Sequence, residues 1–213
     1  MTFKRLFDVV VALMALALLT PAFLIIMTII ALDSPGPVFY KARRIGQRGR
    51  LFRMYKFRTM RLDADRLGPA LTYKDDPRIT RVGRLLRKAR IDELPQFLNV
   101  LKGDMSIVGP RPEAPEYVQI EQFIWQQVLS VRPGICGLAQ LAFAVDEASL
   151  LNNRATIDQD YMTQILPAKL RLDLRYIYTQ SLLLDLKLLA QTFLLLVRRQ
   201  KMKGVEIRSW ASH

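Results

Sequence analysis

The first long apolar segment of the chain predicts a helix embedded in a membrane. No charged residue occurs between Val9 and Leu32, whereas Lys4, Arg5 and Asp8 precede this run. As a straight helix it would reach about 36 Å, more than the roughly 30 Å of a bilayer core. A secretory signal peptide would have a shorter apolar segment and a small-residue cleavage site, and neither is evident.

The path of this helix through the membrane has two alternatives. Thr20 and Pro21 lie near its middle, and a proline inside a helix removes a hydrogen bond and bends the axis. Cationic residues flank both ends, with Lys4 on one side and Lys41 on the other, as expected of a helical hairpin with both ends in the cytoplasm. The residues alone favour a kinked spanning helix and leave the hairpin open.

A β-hairpin is predicted directly after this segment. Residues 34–37, Ser-Pro-Gly-Pro, end the helix, and short strand-like patterns follow at 38–40 and 51–57, with glycines in the connection. Between Lys41 and Arg61 there are nine basic residues and no acidic one. This segment could contact anionic headgroups or substrate phosphates, or it could be a solvated basic loop.

Two helices are predicted in the centre of the chain. Apolar residues recur there at the helical spacing i, i+3, i+4, i+7 in two sets, Val82, Leu85, Leu86 and Ala89, then Leu94, Phe97, Leu98 and Leu101. Gly103 is expected to end the second helix, and Pro95 suits its first turn. Asp92 and Glu93 are therefore expected at the N-terminal end of the second helix.

The remaining patterns complete a mainly α-helical chain with one small hairpin, an α+β class. Residues 113–130 predict a helix, and residues 132–137 predict a turn-rich loop in which Cys136 is a small packing residue. Residues 170–178 alternate between apolar and polar, which fits a strand or a helix. Residues 182–199 predict a leucine-rich helix that lies on the membrane or in the core.

Composition limits the chemistry that this fold could perform. The 213 residues suffice for one compact domain, and 32 basic against 19 acidic residues give a formal charge of +13. Such an excess indicates an anionic partner: nucleic acid, an acidic membrane surface or a phosphorylated substrate. The single cysteine, Cys136, and the single histidine, His213, exclude a disulfide framework, a thiolate cluster or a histidine-based site within the chain. Chemistry would have to use carboxylates, hydroxyls, lysine or a bound hard cation.

Two acidic pairs are candidates for that chemistry. Asp92 and Glu93 would lie at a helix N-terminus, where unpaired N–H groups favour carboxylates and phosphates, so both side chains could address one cavity. In the alternative interpretation, Asp92 is a helix cap and Glu93 stabilises the first turn. Asp75 and Asp76 could bind a metal, but an Asp-Asp-Pro sequence is more typical of a turn or cap.

Arg111 is a candidate ligand-binding residue because it stands between Pro110 and Pro112. A residue before a proline is held extended, so this arginine has a rigid backbone from which to grip a phosphate or a nucleobase edge. The upstream arginines, Arg87 among them, favour the same kind of ligand for the Asp92–Glu93 pair.

Taken in order, these motifs resemble the bacterial sugar transferase family, in its small monotopic phosphoglycosyl transferase class. The matching segments, which together extend from Lys4 to about Leu196, are 4–8 (KRLFD), 55–60 (YKFRTM), 76–80 (DPRIT), 90–96 (RIDELPQ), 99–106 (NVLKGDMS), 108–112 (VGPRP) and 132–135 (RPGI). Any one of them alone would be weak evidence, whereas their ordered succession is specific.

The resemblance implies transfer of a sugar-1-phosphate from a UDP-sugar to polyprenyl (undecaprenyl) phosphate, with release of UMP, at the cytoplasmic face of the bacterial inner membrane. It also implies Mg²⁺, a covalent enzyme intermediate and a role in initiating polysaccharide or glycan biosynthesis. Asp92 would be the nucleophile and a metal ligand, and Glu93 would deprotonate the acceptor. The residues implied to bind substrates are Arg87 for the acceptor phosphate, Arg111 with Pro110 and Pro112 for the uridine nucleotide, and Lys56 and Arg58 from the 55–60 segment.

The family pattern also reverses the preference for the first helix. Its members have a re-entrant helix broken at a Ser-Pro pair, and Thr20 and Pro21 take that place here. The resemblance thus predicts a re-entrant membrane helix at 1–33, a catalytic domain with interfacial amphipathic helices at 34–200, and a tail at 201–213. No extra spanning segments precede the catalytic domain, so a minimal catalytic unit is expected.

Two further points stay open in the sequence. Cys136 stands where the family often has threonine, which leaves local packing open. A noncatalytic, membrane-anchored basic module that binds anionic lipid or nucleic acid would explain the charge and the apolar run, but not the Asp-Glu pair or Pro-Arg-Pro. The enzyme is therefore preferred, with a UDP-sugar, a polyprenyl phosphate and membrane lipids as partners and no nucleic acid. Which sugar it uses, and whether it forms a homo-oligomer, the sequence leaves open.

Overall fold

The computed structural model describes residues 3–68, 71–73, 75–143 and 155–198, the side chains of 196–198 excepted. The α-helices are α1 (Phe3–Asp33), α2 (Ala64–Leu67), α3 (Arg81–Lys88), α4 (Gln96–Lys102), α5 (Phe123–Val128), α6 (Leu138–Ala142), α7 (Ile157–Asp160), α8 (Leu166–Thr179) and α9 (Leu182–Arg198). The strands are β1 (Phe39–Ile45), β2 (Leu51–Phe57), β3 (Ser106–Val108) and β4 (Gly134–Cys136). The predicted mainly helical class with a small hairpin is confirmed.

Helix α1 is, by length and composition, the one helix in the described part of the chain that could cross a membrane. The helix continues through Thr20 and Pro21, so the predicted separation into two helices at this point is not seen. The Thr20 hydroxyl donates to the backbone oxygen of Leu16 at 2.7 Å, which satisfies it within the helix. Re-entrant insertion of α1 stays a prediction.

The N-terminal end of α1 is attached to the rest of the protein by buried polar contacts. Arg5 donates to the backbone oxygens of Val100 and Leu101, at the end of α4, over 2.7 and 3.2 Å. Asp8 is buried and accepts hydrogen bonds from the Ser106 hydroxyl at 2.8 Å and from the next backbone N–H of β3 at 3.1 Å. A buried carboxylate needs such partners, so these bonds fix the start of α1 on α4 and β3.

The C-terminal end of α1 packs on the same body through apolar contacts. Ile30 forms a buried cluster with Phe57 of β2 and Leu86 of α3, and the ring of Phe23 meets that of Phe57 edge-on at 5.1 Å. Residues 13–22, all of them described, belong to none of the core clusters. Helix α1 is therefore attached at both ends while its centre stays away from the core.

The predicted hairpin is confirmed as an antiparallel pair. Strands β1 and β2 pair with Phe39 opposite Phe57 and Ile45 opposite Leu51. A 3₁₀ turn at Gln47–Gly49 joins them. Gly49 has a φ of +73°, a left-handed conformation that glycine adopts without steric cost.

The central helices are found where the pattern placed them, with changes at their ends. The Thr80 hydroxyl caps α3 by accepting from the N–H of Gly83 at 2.9 Å, and Gly103, with a φ of +90°, ends α4. Leu86 is buried but Leu85 is 69% exposed, so the predicted apolar stripe on α3 is only partly buried.

Three predictions for the C-terminal half need correction or completion. The helix predicted at 113–130 is wrong over most of its length, because only a 3₁₀ turn at Pro115–Tyr117 and the short α5 form there. Residues 170–178 are helical and belong to α8. The loop predicted at 132–137 contains β4, which pairs in parallel with β3.

The body has two main apolar clusters beside the small one at the end of α1. One surrounds Trp125 of α5 and Tyr161, which precedes α8. The other includes Ala12 of α1, Tyr176 of α8 and the buried Cys136, which confirms Cys136 as a packing residue. Burial raises the pKa of its thiol to about 12, so this cysteine is inert.

Candidate active site

The two adjacent carboxylates lie in a short turn between α3 and α4. Helix α3 ends at Lys88, Ala89 is its C-cap residue, and Arg90 follows in the left-handed region with a φ of +58°. Asp92 and Glu93 then occupy a 3₁₀ turn, Ile91–Glu93, that precedes α4. The prediction that they begin α4 itself is therefore wrong, because Pro95 is the N-cap residue of that helix. A non-glycine residue at positive φ is uncommon and costs about 1–2 kcal/mol, and strain of this kind concentrates at functional sites.

Glu93 is held by two cations from different parts of the chain. Its Oε1 accepts from Lys56 Nζ of β2 at 3.1 Å and from Arg111 Nη2 at 2.9 Å. Burial alone would raise the pKa of Glu93, but Arg111 and Lys56 outweigh it and hold that pKa well below its usual range. Three of the predicted site residues are thereby brought together, with Glu93 fully ionised in the centre.

The pKa of Asp92 is shifted in the opposite direction from that of Glu93. Its side chain is 7% exposed, and no hydrogen bond or ion pair links its carboxylate to another described residue. Burial raises its pKa above the usual range, and the negative charge of Glu93 adds to this, although Lys56 and Arg87 oppose it. The carboxylate is therefore desolvated and uncommitted, which is the state expected of a nucleophile or metal ligand rather than of a helix cap.

Asn99 positions Lys56 beside the carboxylates, and it was not among the predicted site residues. This fully buried residue of α4 accepts from the backbone N–H of Tyr55 at 2.9 Å and donates to the backbone oxygen of Arg53 at 2.8 Å. The amide thus links β2 to α4 next to Lys56. The sequence pattern that could have indicated Asn99 is its polar side chain on the face of α4 opposite to the leucines.

Arg111 is positioned by the small parallel sheet. Strand β3 leads into Gly109 and Pro110, and the N–H of Gly134 donates to the backbone oxygen of Pro110 at 2.8 Å. A Cβ on Gly109 would lie 2.6 Å from the backbone oxygen of Arg132, so glycine is required for this close approach. The Pro-Arg-Pro segment is therefore fixed against the 132–134 loop, and Arg111 extends from it to Glu93.

Arg87 reaches the same region from α3. Its Nε donates to the Thr59 hydroxyl at 2.8 Å and its Nη1 to the Thr72 hydroxyl at 2.9 Å. Asp92 and Arg87 interact electrostatically, each favouring the charged form of the other. The structure therefore places Arg87 close enough to the Asp92–Glu93 turn to interact with Asp92, and its predicted contact with the acceptor phosphate stays a prediction.

Other predicted site residues have different surroundings. Arg58 is 5% exposed, and its guanidinium donates to the backbone oxygens of Ser34 and Pro35 at 2.6 and 2.7 Å. These bonds give Arg58 a structural role at the end of α1, and its predicted substrate contact stays a prediction. Thr20 and Pro21 lie in the middle of α1, and neither residue belongs to a core cluster.

The acidic pair at 75–76 follows the favoured turn interpretation. Asp76 is buried and forms a 2.6 Å ion pair with Arg78, while it also accepts the backbone N–H of Arg78 at 3.0 Å. Asp75 has a φ of +56°, as aspartate tolerates in turns. Within the described residues, no group of three or more His, Cys, Asp or Glu side chains could hold a metal ion.

The arrangement at the α3–α4 turn suits phosphate chemistry. One buried carboxylate is uncommitted, a second is ionised between two cations, and Arg87 interacts electrostatically with the first. Cations so placed can neutralise phosphate oxygens, while the uncommitted carboxylate can attack phosphorus or bind a metal.

Comparisons with known proteins identify the family of the chain. The family model of bacterial sugar transferases matches residues 1–199. A UDP-N-acetylgalactosamine-undecaprenyl-phosphate N-acetylgalactosaminephosphotransferase of Aeromonas hydrophila is 42% identical over 163 residues, which cover 74% of this chain and 38% of that protein. A putative undecaprenyl-phosphate N-acetylgalactosaminyl 1-phosphate transferase of Bacillus subtilis is 47% identical over 116 residues, 54% of this chain and 65% of that protein.

A third relative matches more of the chain. The UDP-glucose:undecaprenyl-phosphate glucose-1-phosphate transferase of Caulobacter vibrioides is 40% identical over 192 residues, which cover 89% of this chain and 67% of that protein. The chain thus spans between about a third and two thirds of the length of these relatives. Its ordered motifs, the paired carboxylates with their cations and the family match along residues 1–199 lead to one assignment. The chain belongs to the bacterial sugar transferase family.

Proposed function

We propose that this protein transfers a sugar-1-phosphate from a UDP-sugar to a polyprenyl phosphate, with release of UMP, at the cytoplasmic face of the bacterial inner membrane. The observation that carries the proposal is the Asp92–Glu93 turn, in which adjacent carboxylates have opposite pKa shifts and are surrounded by Lys56, Arg87 and Arg111. The names of the relatives, which specify undecaprenyl phosphate and sugar phosphates, support the substrate classes.

In the first step, a carboxylate oxygen of Asp92 attacks the phosphorus that carries the sugar. The bond from this phosphorus to the bridging oxygen breaks, UMP leaves with that oxygen, and the phosphosugar is held as an acyl phosphate on Asp92. Arg111, fixed by Pro110 and Pro112, contacts the uridine nucleotide. Phosphoryl transfer depends mainly on positioning and charge neutralisation. The cations of the site, Lys56, Arg87 and Arg111, would therefore provide much of the catalysis.

In the second step, a phosphate oxygen of the polyprenyl phosphate attacks the same phosphorus. Arg87 holds the acceptor phosphate, Glu93 takes its proton, and the bond between Asp92 and phosphorus breaks to give a polyprenyl diphosphate sugar. Glu93 is a weak base while both cations contact its Oε1. Anionic phosphates compete for Lys56 and Arg111, and as these cations turn to the substrate, the pKa of Glu93 rises and the carboxylate becomes a better base.

The residues present fit Mg²⁺ as the metal cofactor. Mg²⁺ is commonly bound by one or two carboxylates together with substrate phosphates and waters, and Asp92 is an uncommitted carboxylate at the site. Asp92 would be its protein ligand, and the ion would supply charge neutralisation on the donor diphosphate.

The re-entrant form of α1 is part of this proposal. Both ends of α1 contact the body that carries the site, which supports a helix that enters and leaves the membrane on the cytoplasmic side. The leucine-rich α9 exposes Leu183 and Phe193, which fits an interfacial helix.

A direct test measures UMP release and intact mass with purified protein, Mg²⁺, a polyprenyl phosphate and a panel of UDP-sugars. We expect one or more sugars to support UMP release, and a phosphosugar adduct on the wild-type protein that is missing in Asp92→Asn. Normal UMP release by Asp92→Asn would rule out Asp92 as the nucleophile. Absence of UMP release and adduct with every sugar would favour the noncatalytic basic module instead.

A further inference from the structure

The guanidinium of Arg87 is oriented by two threonine hydroxyls. Thr59 Oγ1 accepts from Nε at 2.8 Å, and Thr72 Oγ1 accepts from Nη1 at 2.9 Å. Within the described part of the chain, Nη2 and the second hydrogen of Nη1 have no hydrogen-bond acceptor. The hydroxyls therefore fix part of the guanidinium and leave three of its five N–H donors, one on Nη1 and two on Nη2, from which a phosphate can accept paired hydrogen bonds.

Thr59 is brought to Arg87 by an unusually close approach of α3. The N–H of Thr80 donates to the backbone oxygen of Thr59 at 3.0 Å, and a Cβ on Gly83 would lie only 2.1 Å from that same oxygen. Arg87 follows Gly83 by one helical turn, on the same face of α3. The contact that requires glycine at 83 therefore also places the Arg87 side chain over the Thr59 hydroxyl.

Thr72 is held by the buried pair of Asp76 and Arg78. Arg78 Nη2 donates to the backbone oxygen of Leu71, directly before Thr72, at 3.1 Å. The same guanidinium binds the Asp76 carboxylate through Nε at 2.9 Å and through Nη2 at 2.6 Å, and both side chains are almost fully buried. The segment that carries Thr72 is thus attached to a rigid ion pair, which is the structural use of Asp76.

We infer that Thr59 and Thr72 are positioning residues that orient Arg87 toward the phosphate of the polyprenyl acceptor, with the Asp76–Arg78 pair supporting Thr72. The inference rests on the proposed function, because it takes the acceptor phosphate as the ligand of Arg87. Neither hydroxyl touches the reacting atoms in this scheme; each acts through the arginine.

The test removes each hydroxyl without changing side-chain shape. Thr59→Val and Thr72→Val are expected to raise the KM for polyprenyl phosphate about tenfold, equivalent to about 1.4 kcal/mol. The rate at which the phosphosugar adduct forms from the UDP-sugar, measured without acceptor, is expected to stay at the wild-type value. Thr59→Ser, which keeps the hydroxyl, should restore the acceptor KM.

A matched control is Thr179→Val at the end of α8. The Thr179 hydroxyl donates to the backbone oxygen of Arg175 in its own helix at 2.7 Å and is exposed. Its removal should leave both half-reactions unchanged. Melting temperatures of all variants show whether a loss reflects unfolding, and an equal loss in both half-reactions with a lowered melting temperature would show a purely structural role and overturn the inference.

Arg87→Lys separates this inference from the proposed function. If Arg87→Lys raises the acceptor KM and both valine variants leave it unchanged, the positioning role is wrong and the function stands. If Arg87→Lys leaves the acceptor KM unchanged, Arg87 does not hold the acceptor and the inference fails with it. Failure of the proposed function has a different signature, namely absence of adduct and UMP release in the wild-type protein.

Discussion

Asp92 and Glu93 are chemically similar neighbours that their surroundings make different. Glu93 shares one oxygen with two cations that hold its pKa well below its usual range, whereas Asp92 is desolvated without a hydrogen-bond partner among the described residues. When the environment shifts the pKa values of two neighbouring groups in opposite directions, the two groups often take different roles in catalysis. The carboxylate without a partner is available for covalent chemistry, and the paired one can respond to phosphate binding.

Lys56 should control the pH at which the acceptor step begins to operate. Although burial raises the pKa of Glu93, Arg111 and Lys56 lower it, so removing Lys56 shifts that pKa upward. Since the base must be ionised, activity is present above its pKa and is lost as the pH falls through it. The acid limb of kcat/KM for polyprenyl phosphate in Lys56→Met should therefore lie at higher pH than in the wild type.

The control for this prediction is Lys102→Met. Lys102 contacts the Tyr55 hydroxyl at 2.5 Å on the exposed side of the hairpin and has no ion pair with either carboxylate. The acid limb of kcat/KM for polyprenyl phosphate in Lys102→Met should coincide with that of the wild type. The free acceptor phosphate is the same substrate for all three proteins, so its own titration contributes equally to each profile. If the acid limb of Lys56→Met lies at the wild-type pH, Glu93 is excluded as the titrating base.

The candidate site was predictable as a set of residue types but not as a set of partners. Asp92, Glu93 and Arg111 could be selected because an acidic pair and a proline-flanked arginine are conspicuous in a single sequence. The ion pairs of Glu93 join β2, the α3–α4 turn and the Pro-Arg-Pro segment, and contacts so distant in sequence leave no local pattern. Arg58 shows the converse, because its basic neighbourhood indicated a ligand while the end of α1 uses its donors.

At the scale of elements, hydrophobic periodicity predicted the helices and strands that are long enough and have one buried face. The hairpin, α3 and the leucine-rich α9 meet this condition and were predicted. Strands β3 and β4 have three residues each and pair in parallel across a long separation, so neither alternation nor a turn signal marks them. The apolar spacing at 113–130 was misleading because Pro115 starts only a single turn there.

The contact of α3 with Thr59 leads to a prediction at this scale. Gly83→Ala places a methyl group 2.1 Å from the Thr59 backbone oxygen, and backbone cannot move aside as a flexible side chain can. Overpacking of this kind costs about 1–3 kcal/mol, which lowers the melting temperature of a protein of this size by several degrees. Thermal unfolding in detergent measures this change in melting temperature.

An exposed position on the same helix provides the comparison for Gly83→Ala. Arg84 is solvent-exposed on α3, and Arg84→Ala changes helix propensity little, so its melting temperature should match that of the wild type. Because Gly83 also sets the approach of Arg87, Gly83→Ala should raise the acceptor KM as well. An alanine variant with wild-type stability would show that α3 can move away from Thr59 at little cost.

At the scale of the whole molecule, the contacts of α1 restrict how the protein can lie in a membrane. A straight helix from Arg5 to Ile30 would be about 38 Å long, longer than a bilayer core of about 30 Å. A spanning helix would therefore place these two residues on opposite sides of the membrane. Arg5 bonds to the end of α4, however, and Ile30 packs with Phe57 and Leu86, so both ends of α1 contact one body, as the proposed re-entrant insertion requires.

The proposed re-entrant insertion, which the contacts at both ends of α1 support, predicts that both chain ends face the cytoplasm. Epitope tags placed before Met1 and after His213 should be inaccessible to an impermeant label in sealed cells and accessible in inverted membrane vesicles. A spanning helix would instead expose the Met1 tag in sealed cells while the His213 tag stays protected. The Arg5→Ala and Asp8→Asn variants sharpen the test, because they remove the polar bonds that hold the start of α1 on α4 and β3. If those bonds set the topology, the double variant should shift part of the Met1 tags to the outside, and an unchanged pattern would assign topology to the flanking cationic charge alone.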